Sequence, residues 1–298
     1  MYSSFNARAL GLKLSTDETL LLAHDHGFDG VDIMVRDAIE QGVDFDALKL
    51  KMDDLDLHAG AFPLPFDWRG DDASFAEGLQ VLALCARAAN CLGIQRTGTW
   101  VLPEVPERFA SNDARSSYER TLDFHAERLS QIAGILDDLG IRLGLEVIGV
   151  ASSRSGRFPA FIYRLDGLEP LIDRLNVHAN IGVIVDAWHL YADDEPIANA
   201  FLHGVKNIVW AHVADLPFGA ELSRAAMIDS VRGLPGEHGA IDAKSLLRML
   251  HERGYGGPVT AEPLGNCRSL TGLSPTAVAR KTAESLRSVW PEDLLGTV

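Results

Sequence analysis

Apolar runs that resemble β-strands alternate with amphipathic, helix-like segments along the whole chain. The strand-like runs are SFNARALGL, GVDIMV, LDLHAGAF, IQRTGTWVL, IRLGLEVIG, ANIGVIVDA, NIVWAHVAD and GPVTAEPL. A helical pattern follows each run, and several of these helices end at a glycine, as at Gly93, Gly140 and Gly254. Thr16 and Ser274 stand where helix N-caps are expected. The pattern predicts eight consecutive βα units.

Continuous apolar strands separated by helices are typical of a parallel sheet that is covered on its outside. Eight units of ordinary length therefore predict an α/β fold, a closed (β/α)8 TIM barrel that forms a single domain over residues 1–298. The competing topology is an open, doubly wound sheet. Its glycine-rich phosphate turn is absent after the first strand, because ALGLKLST contains no GxGxxG. The barrel is therefore favoured.

Four polar residues stand near the ends of the last four strand-like runs. They are Glu146 in LGLEVIG, Asp186 in IGVIVDAWH, His212 in IVWAHVAD and Glu262 in PVTAEP. A charged group at the end of a buried strand is costly unless it is paired or binds something. Strands five to eight are neighbours in a barrel, so these side chains are expected to converge at the C-terminal mouth. The set predicts one divalent cation, Mn²⁺, Mg²⁺, Co²⁺ or Zn²⁺.

Each of these residues also has a structural alternative. Glu146 could pair with an arginine, Asp186 could cap the next helix, and His212 could be a core histidine with satisfied hydrogen bonds. The coincidence of four such residues on four successive strands favours the metal site over these alternatives.

The charge and hydropathy of the chain exclude several classes of partner. The 27 Lys and Arg residues against 42 Asp and Glu residues give a formal net charge of -15, which repels nucleic-acid phosphates. No apolar run approaches the roughly 20 residues of a membrane helix, and the start MYSSFNARAL lacks the features of a secretion signal. A cytoplasmic protein without nucleic-acid or membrane partners is expected. Exposed apolar faces on its outer helices are compatible with a homo-oligomer.

The order of five segments, GLEVIG, VDAWH, HVAD, RGLPGEHGAID and TAEP, resembles the xylose isomerase-like barrels. That family includes sugar-phosphate isomerases and epimerases, hydroxypyruvate isomerases, inosose and dehydroshikimate dehydratases, and apurinic endonucleases. The resemblance spans essentially the whole chain and is strongest between Glu146 and Glu262. It implies a catalytic metal held by Glu146, Asp186, His212 and Glu262, with His189 and Arg232 facing the substrate.

The resemblance also implies a reaction. The expected activity is the isomerisation or epimerisation of a keto-sugar, polyol or keto-acid, in which an α-proton is removed and a metal-stabilised enediolate forms. Glu146 and Glu262 are the candidate acid and base on opposite sides of the substrate carbon. His189 is a candidate proton shuttle, or it orients a carboxylate. Arg232 is a candidate partner for a developing oxyanion or an anionic substrate group.

Three further residues are candidates for the wall of the substrate site. Trp100 and Trp188 lie in or just beyond strand ends, where aromatic faces can enclose a small polyol or carbocycle. His58, in the third strand-like run, is the third candidate, although a lone strand histidine is more often structural.

The sequence departs from the family pattern in two places. Many ketose epimerases of this fold carry a second glutamate six positions after the metal-binding one, and here that position is Ser152. The stretch between His212 and Arg232 is also long and predicts an extra segment that covers the mouth. The substrate therefore stays open, and a dehydratase of a keto polyol or dehydroshikimate-like carbocycle remains the second hypothesis. A barrel that binds a ligand without catalysis is the third.

Overall fold

The computed structural model describes residues 1–292. Within them the strands are β1 (Tyr2–Phe5), β2 (Gly30–Val31), β3 (His58–Ala59), β4 (Phe62–Pro63), β5 (Arg96–Trp100), β6 (Arg142–Glu146), β7 (Ile181–Asp186), β8 (Ile208–Val213) and β9 (Pro258–Ala261). The α-helices are α1 (Thr16–Asp25), α2 (Val35–Glu40), α3 (Phe45–Asp54), α4 (Asp72–Cys91), α5 (Ala114–Asp137), α6 (Glu169–Arg174), α7 (Ala187–Ala192), α8 (Ala243–Glu252) and α9 (Pro275–Val289).

The strands form one curled, all-parallel sheet in the order β3-β2-β1-β9-β8-β7-β6-β5-β4. Its two edge strands, β3 and β4, follow each other in the chain and are joined only by Gly60 and Ala61. The curled sheet therefore returns to its starting point within one bent segment, and helices cover its outside. The predicted TIM-barrel fold is confirmed.

The third predicted strand is the one that differs from the sequence expectation, because it is broken into β3 and β4. At the break, the Ala61 N–H donates to Oδ1 of Asp32 at 2.9 Å instead of to a strand carbonyl. Gly60 passes so close to Asp32 that a Cβ at this position would lie 2.2 Å from the same oxygen. A buried side chain of the β2 segment therefore interrupts the ladder, and nine strands replace the predicted eight.

Helix ends follow the expected chemistry with one shift. Gly93, Gly140 and Gly254 all have positive φ angles after their helices, as predicted, and Ser274 caps α9. The N-cap of α1 is Ser15 and not Thr16, because Ser15 and Glu18 exchange hydrogen bonds in a capping box.

Three helical segments also differ from the pattern. Helix α2 lies between the second predicted strand and the helix predicted after it, where no helix was expected. The predicted helix EPIANAFLHG contains only a short 3-10 helix at Ile197–Phe201. The chain instead forms α7 directly after β7, where Asp186 caps it. No helix within residues 1–292 is long and apolar enough to cross a membrane.

The barrel interior beneath the C-terminal mouth is filled by a small cluster of Ala61, Ile184 and Trp210. Gly98 and Gly144 make room for it, since a Cβ at Gly98 would lie 2.4 Å from Cδ1 of Ile184. Nε1 of Trp210 donates to Oγ1 of Thr260 at 2.9 Å, so its one polar atom is satisfied. The site residues lie directly above this packed layer.

Candidate metal centre

The structure brings the four predicted ligands together at the C-terminal ends of adjacent strands. Glu146 and Asp186 are the last residues of β6 and β7, His212 lies in β8, and Glu262 directly follows β9. Each offers one ligand atom, and these atoms all lie within 4.8 Å of one another. The register places Asp186 beside His212 across two neighbouring strands. The arrangement is compact enough to hold one ion.

Arg232 lies against this cluster and is almost fully buried. Its Nη1 donates to Oδ2 of Asp186 at 2.9 Å and to Oε2 of Glu262 at 3.1 Å. Its Nη2 donates to Asp229 and its Nε to the Asp229 carbonyl oxygen at 3.0 Å. Burial disfavours the guanidinium charge, yet Asp186, Glu262 and Asp229 outweigh burial and raise the pKa of Arg232. The arginine predicted to face the substrate thus also balances the charge of two candidate ligands.

His212 directs one ring nitrogen toward the carboxylates. Its Nδ1 lies 3.2 Å from Oε1 of Glu146 and 3.5 Å from Oε2 of Glu262. Burial lowers the pKa of His212, but Glu262 and Glu146 outweigh burial and raise the pKa to about 9. The imidazole of the ion-free protein is therefore protonated at neutral pH, and a metal ion at Nδ1 has to replace that proton. Its Nε2 is buried and has no hydrogen-bond partner.

Burial raises the pKa of both Asp186 and Glu262, but the net shifts of the two groups are opposite. Burial tends to raise the pKa of Asp186, but Arg232, His189 and His212 outweigh it and hold the pKa below its ordinary value. For Glu262 burial is the stronger influence and raises the pKa to about 7, although His212 and Arg232 favour the charged form. The cluster therefore combines an anionic carboxylate with one that readily takes up a proton.

His189 is held in a defined orientation next to the cluster. The Gly149 N–H donates to its Nδ1 at 3.2 Å, and Nη2 of Arg232 lies 3.3 Å from its Nε2, so N–H donors face both ring nitrogens. Nε2 lies 3.6 Å from Oδ2 of Asp186 and 3.6 Å from Oδ1 of Asp229. The position suits both roles expected for this histidine, orienting a carboxylate and exchanging a proton with a ligand.

The loop that carries Arg232 is held in place by Asp215, to which the sequence reasoning assigned no role. Backbone N–H groups of Leu216, His238 and Ile241 donate to its carboxylate at 2.8 to 3.1 Å. Its own backbone also pairs with Gly233, the neighbour of Arg232. This aspartate was visible in the sequence as part of HVAD, but its partners other than Leu216 lie 18 or more positions away in the sequence.

Two cavities meet at the cluster, and we name them by their linings. The polar lobe, about 890 Å³, is lined among others by Asn6, Arg69, Thr99 and His212. The apolar lobe, about 630 Å³, is lined among others by Leu102, Val105, Ile148, His189 and Arg232. Trp100, Glu146, Glu262 and Leu264 line both lobes. The two glutamates are thus accessible from two sides.

The three other candidate wall residues occupy different places. Trp100 lines both lobes and is 41% exposed. Trp188 is fully buried, and its ring lies beneath Arg232 with 5.3 Å between the guanidinium carbon and the ring centroid, so it supports the site from below. The ring of His58 lies 5.0 Å from the ring of Tyr2 at a tilt of 48°, and His58 lines neither lobe.

Ser152 and the long segment before Arg232 pack together above α7. Oγ of Ser152, which stands where many ketose epimerases have a glutamate, donates to the Met227 carbonyl oxygen at 3.1 Å. Arg224 of the long segment pairs with Asp194 at 2.8 Å. Asp229, from the end of that segment, lines the apolar lobe. The segment thus contributes to the wall of the site, as its length suggested.

Comparison with known protein families agrees with this fold. The family described as xylose isomerase-like TIM barrel matches residues 20–289, which is nine tenths of the chain. The chain belongs to this family.

Individual relatives are distant. Inosose isomerase of Halalkalibacterium halodurans is 26% identical over 137 residues, which are 45% of this chain and 43% of that protein. The match thus spans less than half of the length of this curated relative. A xylose isomerase domain protein from Alicyclobacillus acidocaldarius has a TM-score of 0.79 and 24% identity over 97% of this chain and 98% of its own. An IolI protein crystallised with a bound zinc atom has a TM-score of 0.78 and 17% identity over the same shares.

Other structures of the same fold include a 3-keto-D-glucoside 4-epimerase from E. coli, at 18% identity, and a probable 3-DHS dehydratase from Bacillus anthracis, at 14%. At such identities the structural comparisons show the fold alone. The range of their reactions indicates that the fold does not by itself select the chemistry.

Proposed function

We propose that this protein is a divalent-metal-dependent isomerase or epimerase of a keto-sugar, polyol or other small hydroxy-carbonyl compound. The observation that carries the proposal is the cluster of Glu146, Asp186, His212 and Glu262, whose ligand atoms lie within 4.8 Å of one another and whose two glutamates line two cavities. A divalent ion bound there would polarise the substrate carbonyl and stabilise the negative charge that develops when an α-proton leaves.

The donor set fits a divalent ion. Three carboxylates and one imidazole suit Mn²⁺, Mg²⁺, Co²⁺ or Zn²⁺, and ligands from four separate strands leave one side open for substrate. In the ion-free protein, positive charge from Arg232 and protonated His212 stands beside these carboxylates. A divalent ion that displaces the proton of His212 would replace one positive charge by two, so that three positive charges, with Arg232, would face the three carboxylates of the cluster.

The side chains around the cluster are suited to proton transfer and to stabilisation of an oxyanion. Glu146 and Glu262 reach the cavities from different strands, so they are suited to remove and return a proton on two sides of one carbon. Arg232 is fixed by Asp229 and borders the apolar lobe, where it can stabilise a developing oxyanion. His189 lies beside them as a proton carrier.

The test is solvent exchange in heavy water. Protein loaded with Mn²⁺ is incubated with ketoses, inososes and hydroxypyruvate, and deuterium uptake at the α-carbon is followed by NMR. We expect uptake with at least one compound, and we expect Glu262→Gln to abolish it without loss of the fold. Glu119→Gln, which removes a surface carboxylate far from the cluster, is the control. Undiminished exchange in Glu262→Gln would show that this glutamate is not the base.

Dehydration is the second candidate, and the orientation of His189 favours it. The Gly149 N–H donates to Nδ1, so Nε2 is the ring nitrogen that faces Arg232 and Asp229 beside the apolar lobe. A proton held on Nε2 can be delivered to a departing β-hydroxyl after the α-proton has left. A conjugated ultraviolet band that develops with 3-keto polyols or dehydroshikimate, and is lost in His189→Gln, would identify a dehydratase. Metal binding without exchange or dehydration would support a ligand-binding barrel.

A further inference from the structure

The binding space around the metal cluster is divided and large. The polar lobe and the apolar lobe enclose about 890 and 630 Å³, and both open onto Glu146 and Glu262. Each lobe alone falls in the range of roughly 300 to 1,000 Å³ that accommodates a drug-sized ligand. A monosaccharide held at the cluster leaves a large part of this space unfilled.

The polar lobe is suited to a neutral, hydroxyl-rich group. Each of its three arginines is paired with a neighbouring carboxylate, Arg8 with Asp37, Arg36 with Glu40 and Arg69 with Asp67. A phosphate or carboxylate on the ligand would have to displace these pairs and would also face the carboxylates of the cluster. Uncharged hydroxyl groups are not repelled by these carboxylates, and they can both donate and accept hydrogen bonds.

The apolar lobe has a different outer wall. It contains the apolar residues Leu102, Pro103, Val105, Pro106, Ile148 and Phe158. Glu104, Glu107 and Ser153 are the polar residues of the same loops, and the other ionisable groups of the lobe belong to the cluster or lie beside it. A wall of this kind offers few hydrogen bonds to a polyol, and it gains free energy by burying an apolar group.

This wall is built from two loops that are fastened together. Glu104, in the loop after β5, accepts hydrogen bonds from Oγ of Ser155 at 2.6 Å and from the Gly156 N–H at 2.9 Å. Val105 and Phe161 add backbone hydrogen bonds across the same two loops, each 2.9 Å long. The apolar lobe is therefore preorganised, so an occupant does not have to order its walls.

Trp100 lies between the two lobes. The guanidinium of Arg69 covers one face of its ring at 3.5 Å, and the side chain remains 41% exposed. The other face of this partly exposed indole is free to contact a ligand at the junction of the two lobes.

We infer that the substrate has two parts, a neutral sugar or polyol ring at the metal cluster and an apolar aryl or alkyl substituent that occupies the apolar lobe. The inference rests on the proposed function and names the substrate class for the same site. The shared lining of Trp100, Glu146 and Glu262 makes the lobe continuous with the reacting centre, so the substituent belongs to the molecule that is turned over.

The experiment compares matched glycosides by isothermal titration with Mn²⁺-loaded protein. The probes are the methyl and phenyl β-glycosides of D-glucose, D-galactose and D-mannose. We expect the phenyl member to bind at least tenfold tighter than the methyl member in one pair or more, since burying an aromatic ring has an effect of this size or larger. Phe158→Ala and Leu102→Asn should each reduce the preference to below threefold. Leu84→Ala, which truncates an exposed leucine on α4, should leave it unchanged.

The outcomes separate this inference from the proposed function. Equal affinities within every pair, absence of binding by every phenyl glycoside, or a preference that survives both lobe variants overturns the inference. Deuterium uptake is measured on the same preparations. Deuterium uptake without a preference for phenyl glycosides would support the proposed isomerase and contradict the apolar subsite. A preference for phenyl glycosides without deuterium uptake would support the subsite and contradict the isomerase.

Discussion

Asp186 uses its two carboxylate oxygens for different purposes. Oδ1 accepts from the Trp188 N–H at 2.8 Å and so caps α7, while Oδ2 accepts from Arg232 at 2.9 Å and belongs to the cluster. Asp186 can therefore cap α7 and bind a metal ion at the same time. Because an asparagine can still act as an N-cap, the two roles are separable by substitution.

The substitution Asp186→Asn should lower the affinity for Mn²⁺ at least tenfold, measured by isothermal titration. It removes the anionic ligand and places an amide where Arg232 now finds an acceptor, while the cap of α7 persists. Asp229→Asn is the matched control, because Asp229 also pairs with Arg232 but contributes no atom to the cluster. If both variants bind Mn²⁺ like the unaltered protein, Asp186 is not a ligand.

Individual site residues differ in how far the sequence could predict them. Glu146, Asp186, His212 and Glu262 could be found because a polar residue at the end of an apolar strand is conspicuous, and barrel geometry brings neighbouring strand ends together. Asp229 and Arg69 could not, since they lie in irregular segments whose path depends on distant contacts. The full burial of Trp188 could not be predicted either, because this residue lies in α7, a helix that the sequence pattern did not indicate.

At the scale of elements, the contact between α7 and the loop after β6 decides where Asp186 and His189 stand. Gly149 approaches the backbone of α7 so closely that a Cβ at this position would lie 2.2 Å from the His189 carbonyl oxygen. The same glycine donates its N–H to the His189 ring. A backbone atom cannot move aside like the end of a side chain, so the site depends on a residue without Cβ here.

Replacing Gly149 by alanine should therefore destabilise the fold by about 1 to 3 kcal/mol, as overpacking does, and weaken Mn²⁺ binding by displacing α7. Gly134→Ala is the control, because Gly134 lies within α5 with no atom within 4 Å of its Cβ position. It should stabilise the fold by about 0.5 to 1 kcal/mol. Urea unfolding measures both changes, and equal effects would contradict the close-approach argument.

Helix α5 carries a histidine that should make the fold sensitive to acid. Nδ1 of His125 donates to the Thr121 carbonyl oxygen at 2.7 Å, and Nε2 accepts from the Leu102 N–H at 3.3 Å. Burial lowers the pKa of His125 to about 3. Below the unfolded pKa of about 6.5, only the unfolded state binds this proton, so stability falls as the pH drops from about 6.5 toward 3.

The expected contribution is up to about 1.4 kcal/mol for each pH unit in that window. His125→Gln should remove it, because its amide can still accept from Leu102 but takes up no proton. Urea unfolding at pH 7, 6, 5 and 4 tests this prediction. Parallel pH dependences of the two proteins would show that His125 takes no part in acid unfolding.

The elements themselves were predictable to the extent that they depend on local pattern. The long helices α4, α5 and α9 follow their amphipathic segments and glycine or serine ends. The division of the third strand was not predictable, because it depends on Asp32 from the neighbouring β2 segment. The order of apolar and polar residues cannot reveal a contact across 29 positions.

At the scale of the whole molecule, binding of one ion at the cluster would link the last four strands of the sheet. The ligands come from β6, β7, β8 and the residue after β9, so they are brought together only in the folded chain. An ion that binds the folded state alone stabilises it by about 2.7 kcal/mol at a concentration of 100 Kd. Metal and fold stability are therefore expected to be coupled.

Thermal unfolding should accordingly shift upward by several degrees when Mn²⁺ is added, and the shift should reverse on chelation. Asp186→Asn should show little or no shift, and Asp229→Asn should show most of it. A shift of equal size in all three proteins would mean that the ion stabilises them through a different site.

The most direct test of the account is the position of a bound ion in a crystal grown with Mn²⁺ or Zn²⁺. The account predicts one anomalous peak for each chain, about 2.0 to 2.3 Å from carboxylate oxygens of Glu146, Asp186 and Glu262 and from Nδ1 of His212. It would be contradicted by a peak elsewhere, or by a fully soaked crystal in which the four side chains surround no ion.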